Sequence, residues 1–449
     1  MKLRDSNHRR RGRATERASV LVIVLLIAFG LISIALYFAN SMSLELRASD
    51  NRASGLASDQ IIEGAARYVS SVLVSYATNG AVPDIIQYQA EAVAVGKANV
   101  PEENGRFWLI GRDPADSSSS EPYFSLIDEA SKLDLNAPWL TSGILSSNLP
   151  RMTFDLADAM IDWRDTNGTG SSLNYAQLGY LPKHAPFETV GELRLVDGAT
   201  RDILIGEDLN QNGVLDANEN RNGLTDPGLF DYFTVYSRQP NTHSDGTALT
   251  NVNDQAGLRT LLEERLGASR GQTIIQRLFG GGGGTPAFGS LLRFYLTAGM
   301  TADEFAQIYS DVTATNTAFT IGRVNINTAP VAVLACLPGM DLNLAQQLVN
   351  YRLSNPASLT SIAWIVDALG SSSPALQTLA QGDFITTHSY QFTADIAAVG
   401  PFGRGYRRVR FVLDISEGTP KIIYRQDLSR LGWALGRQTR DTWIAKNTR

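Results

Sequence analysis

The hydrophobic positions open in one unbroken block. Ala18 to Ala39, ASVLVIVLLIAFGLISIALYFA, holds 22 residues without a charge, and the uncharged run continues to Leu44 before Glu45 closes it. At about 1.5 Å of rise per residue, such a helix crosses a hydrocarbon layer of roughly 30 Å. Arg9, Arg10, Arg11, Arg13 and Arg17 precede it. The positive-inside rule therefore leaves the N-terminus in the cytoplasm and places the bulk of the chain in the periplasm, behind a single inner-membrane span. A signal peptide has an apolar core of about 7–15 residues, whereas this run is longer and flows into LELRASDNR without a break. Beyond it, Leu44, Leu46, Ala48, Leu56, Ile61, Ile62, Ala65, Ala66, Val69, Val72 and Leu73 recur at helical spacing. No proline falls between Ala18 and Tyr76. The pattern predicts one long helix, or two nearly continuous ones, halted at Thr78-Asn79-Gly80.

Residues 106–112 and 123–127 read as short strands around the polar loop 113–122, and strand-like alternation returns at 390–399, 407–416 and 420–429. Glu417-Gly418-Thr419-Pro420 supplies a hairpin turn between the last two. Between these regions the pattern is duplicated. SKLDLNAP (131–138) is matched by GRVNINTAP (322–330), and LADAMIDWR by LAQQLVNYR. FETVGELRLVDG (187–198) is matched by LTSIAWIVDALG (359–370), and each unit ends in an apparent strand, FDYFTVYSR (230–238) or GDFITTHS (382–389). Residues 241–257 read as a polar loop, 258–279 and 291–309 as helices, Gly280–Gly284 as a linker and Trp433–Arg449 as a loose tail.

The pattern itself reads as α+β: a long N-terminal helix, strands toward both ends of the remaining chain, and a mainly α-helical middle with two helix-hairpin-helix units. Its expected divisions are a basic leader (1–18), a stem helix (19–44), the helix and first strands (45–130) and a first unit (131–229) with a loop at 208–226. A strand, linker and helical segment (230–321), a second unit (322–381), C-terminal strands (382–429) and a polar tail (430–449) follow.

Composition narrows the chemistry. The net charge of −6 understates the acidity of the exported part, because the leader is basic. That balance argues against a surface for phosphate backbones, so no nucleic-acid partner is expected. The hairpin LPGMDLNLAQQLVNYR agrees, since Arg352 is the only basic residue from Val324 through Leu353 and Asp341 stands where a second glycine is usual. Cys336 is the single cysteine, in the apolar run VAVLACL, and reads as a buried thiol. His8, His184, His243 and His388 show no metal-ligand spacing, and no nucleophile elbow, phosphate loop or paired catalytic carboxylates stand out, so no enzyme activity is expected.

One stretch carries a specific chemical signal. Asp208–Glu219, DLNQNGVLDANE, fits the calcium-loop template at every fixed position. Asp208, Asn210 and Asn212 offer oxygens at loop positions 1, 3 and 5, and Gly213 permits the bend at 6. The Val214 carbonyl, Asp216 and Glu219 follow at 7, 9 and 12. A partial second copy comprises Asn218, Asn220, Asn222 and Asp226. An all-oxygen set suits Ca²⁺ in a structural role; the bland reading is a loop rich in turn formers.

The ordered set of features resembles the K-type minor pseudopilins of type II secretion systems from Ala18 to about Ser429. It comprises the apolar helix, SLIDEASKLDLNAP, LADAMIDWRD, YLPKHAPFETVGELRLVDG, the 208–219 loop, FDYFTVYSR and VNINTAPVAVLACLPGMD. The resemblance implies a pilin-like fold, with the long N-terminal helix against an antiparallel sheet and a large, mainly α-helical insertion, and cleavage by a prepilin peptidase between Ala18 and Ser19, although alanine replaces the usual glycine there. The fifth mature residue would then be Ile23 in place of the glutamate of most pilins, which suits a subunit with nothing above it. It further implies a place at the tip of a pseudopilus, with the I- and J-type minor pseudopilins, other pseudopilins and the inner-membrane secretion platform as partners. A membrane-anchored DNA-binding protein and a type IV pilus minor pilin are the alternatives.

Overall fold

The computed structural model describes residues 12–79, 92–96, 103–113, 122–167, 175–214, 216, 219, 227–280, 287–437 and 439. Helix α1 (Gly12–Asn79) runs uninterrupted for 68 residues and stops at the expected Asn79. Its N-terminal part reaches a mean hydropathy of 3.0 over a fully exposed window, enough by length and composition to cross a membrane. The burial pattern then corrects the expected stripe. Leu44, Leu46 and Leu56 are exposed, and packing begins around Ser58 and Ile61. From there Ile62, Ala65, Ala66, Val69 and Leu73 line up at i, i+3, i+4 spacing on one face.

That face lies on an antiparallel sheet of β1 (Val93–Val95), β2 (Gly105–Ile110), β3 (Ile127–Asp128), β4 (Gln391–Val399), β5 (Arg407–Asp414) and β6 (Lys421–Asp427). The order is β1-β2-β4-β5-β6, with β3 also paired to β4. β4 is buried on both faces. Its even positions, Phe392, Ala394, Ile396 and Ala398, join α1, Phe107, Leu109, Phe411 and Leu413 in one apolar cluster. Its odd positions point the other way, as period-two alternation requires. Exposed pairs Arg404–Asp50, Arg407–Asp59 and Arg425–Glu63 tie the sheet to α1, each a small contribution in water.

Between β3 and β4 the chain leaves the sheet and builds a second core of its own. The sequence duplication reappears there as matching strand pairs and hydrogen bonds. Leu133–Asp134 pairs in parallel with Phe233–Thr234, and Val324–Asn325 with Ile385–Thr386. The amide N–H of Asn136 donates to Asp134 Oδ1 at 2.8 Å, and that of Asn327 to Asn325 Oδ1 at 3.0 Å. The Asn136 side chain donates to the Phe187 carbonyl and that of Asn327 to the Leu359 carbonyl, both at 2.9 Å. Arg164 donates to the carbonyls of Leu135 and Leu140, and Arg352 to those of Ile326 and Ala329. In each unit, then, an asparagine pins the start of the second helical segment and an arginine in the last turn of a helix bonds back to the opening turn.

Several expected elements differ. FDYFTVYSR is not one strand: a 3₁₀ turn at Leu229–Asp231 precedes Phe233–Thr234, and Arg238–Pro240 pairs separately with Phe319–Ile321. GDFITTHS contributes only Ile385–Thr386, and 123–127 only the start of β3. The helix at 258–279 is two, Gln255–Leu266 and Ala268–Phe279, because Gly267 adopts φ +86°. Gly299, at φ +66°, likewise splits Leu291–Ala298 from Ala302–Ala306. The polar loop 241–257 contains the short strand Thr250–Asn251. The tail begins packed, with Ala434 and Leu435 fully buried against Trp108 and Ile110. Gly281–Gly284, most of the leader and residues 441–449 lie outside the described residues.

The duplication yields a test. Asp134 occupies the place held by Asn325 in the second unit; it is buried, its Oδ2 has no hydrogen-bond partner, and burial pushes its carboxyl up to about 7. A carboxyl raised in the folded state loses stability as pH rises from its unfolded value toward the folded one. Asp134→Asn should therefore raise the melting temperature at pH 8, by about 1 kcal/mol in stability, and the advantage should vanish near pH 4. Thermal denaturation of the protein in detergent at both pH values measures this.

Candidate functional site

The loop singled out in the sequence sits at the seam between insert and sheet. Helix Arg201–Ile205 leads into it, capped by Thr200 and closed by Gly206 at φ 70°. The chain then turns sharply at Gln211 (φ 55°) and Gly213 (φ 87°). A Cβ on Gly213 would lie 2.8 Å from Arg112 Cδ, so both the conformation and the close approach require glycine.

Asp208, Asn210, Asn212, Val214 and Glu219 are buried, and Asp216 is half-buried. Asp208 accepts from the amides of Asn212 at 3.0 Å and Gly213 at 2.7 Å. Glu219 accepts from the amides of Asn210 at 3.1 Å and Asp216 at 3.2 Å. Asp216 accepts from the Asn210 side chain at 2.7 Å. The structure thus brings Asp208, Asn210, Asn212, Asp216 and Glu219 into one hydrogen-bonded loop. Among the described residues, however, no three acidic, histidine or cysteine side chains are gathered to hold a metal ion. Asn218, Asn220, Asn222 and Asp226, the second copy, lie outside the described residues. Burial raises the carboxyls of both Asp208 and Glu219, and the backbone donors, with Arg112 beside Asp208, only partly offset it. Buried carboxylates in that condition are short of positive charge, the deficit a cation among oxygen donors would fill.

What holds the loop against the sheet was not visible in its own motif. Arg408 on β5 is fully buried and grips Asp395 of β4 with two bonds, at 2.7 and 2.8 Å. The remaining guanidinium donors reach the carbonyls of Asn210 and of Gln211, the latter at 2.7 Å. Arg112, just beyond β2, pairs with Asp231 at 2.7 Å and donates to the Gln211 carbonyl at 3.2 Å. From the other side Asn210 and Asn212 donate to the Trp433 and Ala434 carbonyls, each at 3.2 Å. The one charged residue within the strand pattern QFTADIAAV was the available signal for Asp395.

The hairpin of the second unit shows what its odd residues do. Gly339 makes the turn at φ 80°. Asp341 caps helix Leu342–Ser354, accepting from the Leu344 amide at 2.8 Å. Arg352 is buried and turned inward, so the hairpin's one basic residue does not face a phosphate. Cys336 is buried as expected, its thiol pushed up to about 12 by burial.

Residues 324–382, which span the second unit, match the family model described as "Type II secretion system (T2SS), protein K". That segment is similar to the K proteins of type II secretion systems. The match covers the opening asparagines, the hairpin and the second helical segment of that unit. It agrees with the wider resemblance to K-type minor pseudopilins. No curated protein matches the chain. Among solved structures, a chain of the GspK-GspI-GspJ complex from the type 2 secretion system of enterotoxigenic Escherichia coli matches with 9% identity. That match covers 85% of this chain and 99% of that one, with a TM-score of 0.38.

Burial alone would raise the Asp395 carboxyl, but Arg408 and Arg410 outweigh it and hold it at about 2. A depressed carboxyl stabilises above its unfolded value and loses that contribution as pH falls through the folded one. The seam should therefore weaken between about pH 4 and pH 2. Asp395→Asn should cost about 3–5 kcal/mol at pH 7, since it strands the buried Arg408. Denaturant titration of both proteins at neutral and acid pH should show the gap narrowing as the wild-type carboxyl protonates.

Proposed function

We propose that this protein is the K-type minor pseudopilin at the tip of a type II secretion pseudopilus, a structural component of protein export across the outer membrane. The observation that carries the reading is the placement of the K-family segment. Residues 324–382 lie in an insertion between two strands of the sheet against which the single long helix packs. The apolar part of α1 first anchors the chain in the inner membrane and then packs with other pseudopilin helices in the fibre core, while the sheet and insert form an exported head. A rigid helix of 68 residues spans about 100 Å at 1.5 Å per residue, long enough to serve as both span and stem. The bulk of the insert blocks stacking of a further subunit above it. The I- and J-type minor pseudopilins are the partners this reading assigns, with the secretion platform and prepilin peptidase acting on the chain earlier.

The processing site falls within α1 at Ala18–Ser19. N-terminal sequencing of protein from the membrane fraction of cells with a prepilin peptidase should begin at Ser19, and should begin upstream in cells lacking the enzyme. A mature terminus elsewhere would detach the chain from the pilin pathway.

Calcium at the 208–219 loop is part of the same proposal. Asp208, Asn210, Asn212, Asp216 and Glu219, with the Val214 carbonyl, would hold it, and the ion would supply the positive charge their burial lacks. The loop bridges the insert to β4 and β5, so the ion would fasten the seam. Saturating calcium at about 100 times its dissociation constant should add about 2.7 kcal/mol of stability. The gain should disappear in the Asp208→Ala, Glu219→Ala double variant. Melting temperatures equal with calcium and with chelator would remove the ion from the account and leave the fibre-tip role standing.

A further inference from the structure

A cleft of about 220 Å³ opens where the edge of the sheet meets the insert. Tyr424 of β6 and Tyr236 and Phe230 of the insert give it an apolar lining, and Arg410, Arg194 and Arg430 enter it from different walls. Clefts between two packed units, partly apolar and with a few convergent polar groups, are where ligands bind.

The charges around the cleft do not cancel. Lys132 is matched by Glu129 at 2.9 Å. Arg410 shares the single carboxylate of Asp395 with Arg408, so one negative charge serves two guanidiniums. Asp427, the remaining acid on the wall, accepts from the Ser429 amide at 2.8 Å. Arg194 and Arg430 are exposed, and among the described residues neither makes an ion pair. Arg194 lies over the Phe230 ring at 5.2 Å, which orients its guanidinium while leaving its N–H donors free. In a chain of net charge −6, this is a local surplus of planar, carboxylate-matching donors beside aromatic rings.

We propose that this cleft binds an acidic peptide segment of another protein, with carboxylates on Arg194 and Arg430 and an aromatic or apolar side chain packed against the paired rings of Tyr236 and Tyr424, whose centroids are 5.9 Å apart. A free inorganic anion would use the arginines but leave the apolar lining without purpose. β6 also forms one edge of the sheet, with β5 on one side and no strand on the other among the described residues, so the same wall offers backbone hydrogen bonds to an extended peptide. The site goes beyond the assembly role, since the cleft lies on the exported head and not on the stem.

The test is fluorescence anisotropy with the full-length protein in detergent micelles. The probes are a labelled dodecapeptide of Glu, Asp and Tyr and its Gln/Asn counterpart. The acidic peptide should bind saturably, more weakly as salt rises, and the neutral one should not. Arg194→Gln with Arg430→Gln should weaken binding by about tenfold or more, while Arg194→Lys with Arg430→Lys should retain most of it. Gly191→Trp keeps every charge but fills the cleft, and should also abolish binding. Gly191 tolerates a Cβ, whose nearest neighbour is Thr189 Oγ1 at 3.5 Å. Melting temperatures of all variants should match the wild type. No saturable binding by the wild type, equal binding of the neutral peptide, or full affinity in the Gln and Trp variants would each overturn the proposal. So would displacement of the peptide by phosphate at an equal concentration of charge, which would assign a bare anion site.

Discussion

The insert and the sheet are joined through the polar face of one strand, and the architecture depends on that seam. β4 is buried on both sides; its even positions are apolar throughout, whereas its odd positions are polar at Gln391, Thr393 and Asp395 and turn apolar only at Ala397 and Val399. On the odd side, Gln391 donates to Asp414, Thr393 to Glu129, and Asp395 receives Arg408 and Arg410. At the head of the insert, Asp128 and Glu129 each reach one of the repeats. Asp128 accepts from Asn325 at 2.9 Å and from Thr328 and Ser389 at 2.6 Å. Glu129 accepts from Thr234 at 2.5 Å and Thr393 at 2.6 Å. Such groups are costly to bury unless every partner is in place. The seam therefore specifies one docking geometry more than it adds net stability. Asp128 shows the cost directly: burial raises its carboxyl to about 6 despite four donors.

This division of labour explains how a large insertion is carried by a small sheet. The apolar cluster under α1 and the cluster inside the insert are separate. Each closes by hydrophobic burial, which is strong and non-directional. Joining them by hydrogen bonds and ion pairs supplies direction without merging the cores. The 208–219 loop belongs to this joint. Its backbone carbonyls are clasped by arginines of the sheet, and its asparagines bond to the C-terminal segment. Shifting the loop would disturb three parts of the chain at once.

Much of this was legible beforehand because it depends on short-range periodicity. The span and its continuation as one helix follow from an uncharged run and an interval free of proline. The three long C-terminal strands follow from alternation, and Gly418 supplies their turn at φ 79°. The repeat was legible from paired motifs, and the matching bonds of Asn136 and Asn327 confirm that like residues have like tasks. Where reading along the chain went astray, the cause was a single backbone conformation or a distant partner. Gly267 and Gly299 each end a helix that hydrophobic spacing alone would continue. Trp433 to Leu435 look like a loose tail until Trp108 and Ile110 are seen to need a cover.

The sequence by itself determined the long apolar helix, the alternation of strands, the motifs of each repeated unit and the loop's pattern of oxygen-bearing side chains, all properties of residues close to one another along the chain. The tertiary structure alone decided which buried charges meet. Asp395 and Arg408 are 13 positions apart, whereas Arg408 reaches Gln211 across 197, and Asp128 reaches Ser389 across 261. A buried charge is tolerated only where an opposite charge or a set of hydrogen-bond partners arrives to meet it. No local pattern records that arrival, because the partner is brought in by the topology that places the insert between β3 and β4.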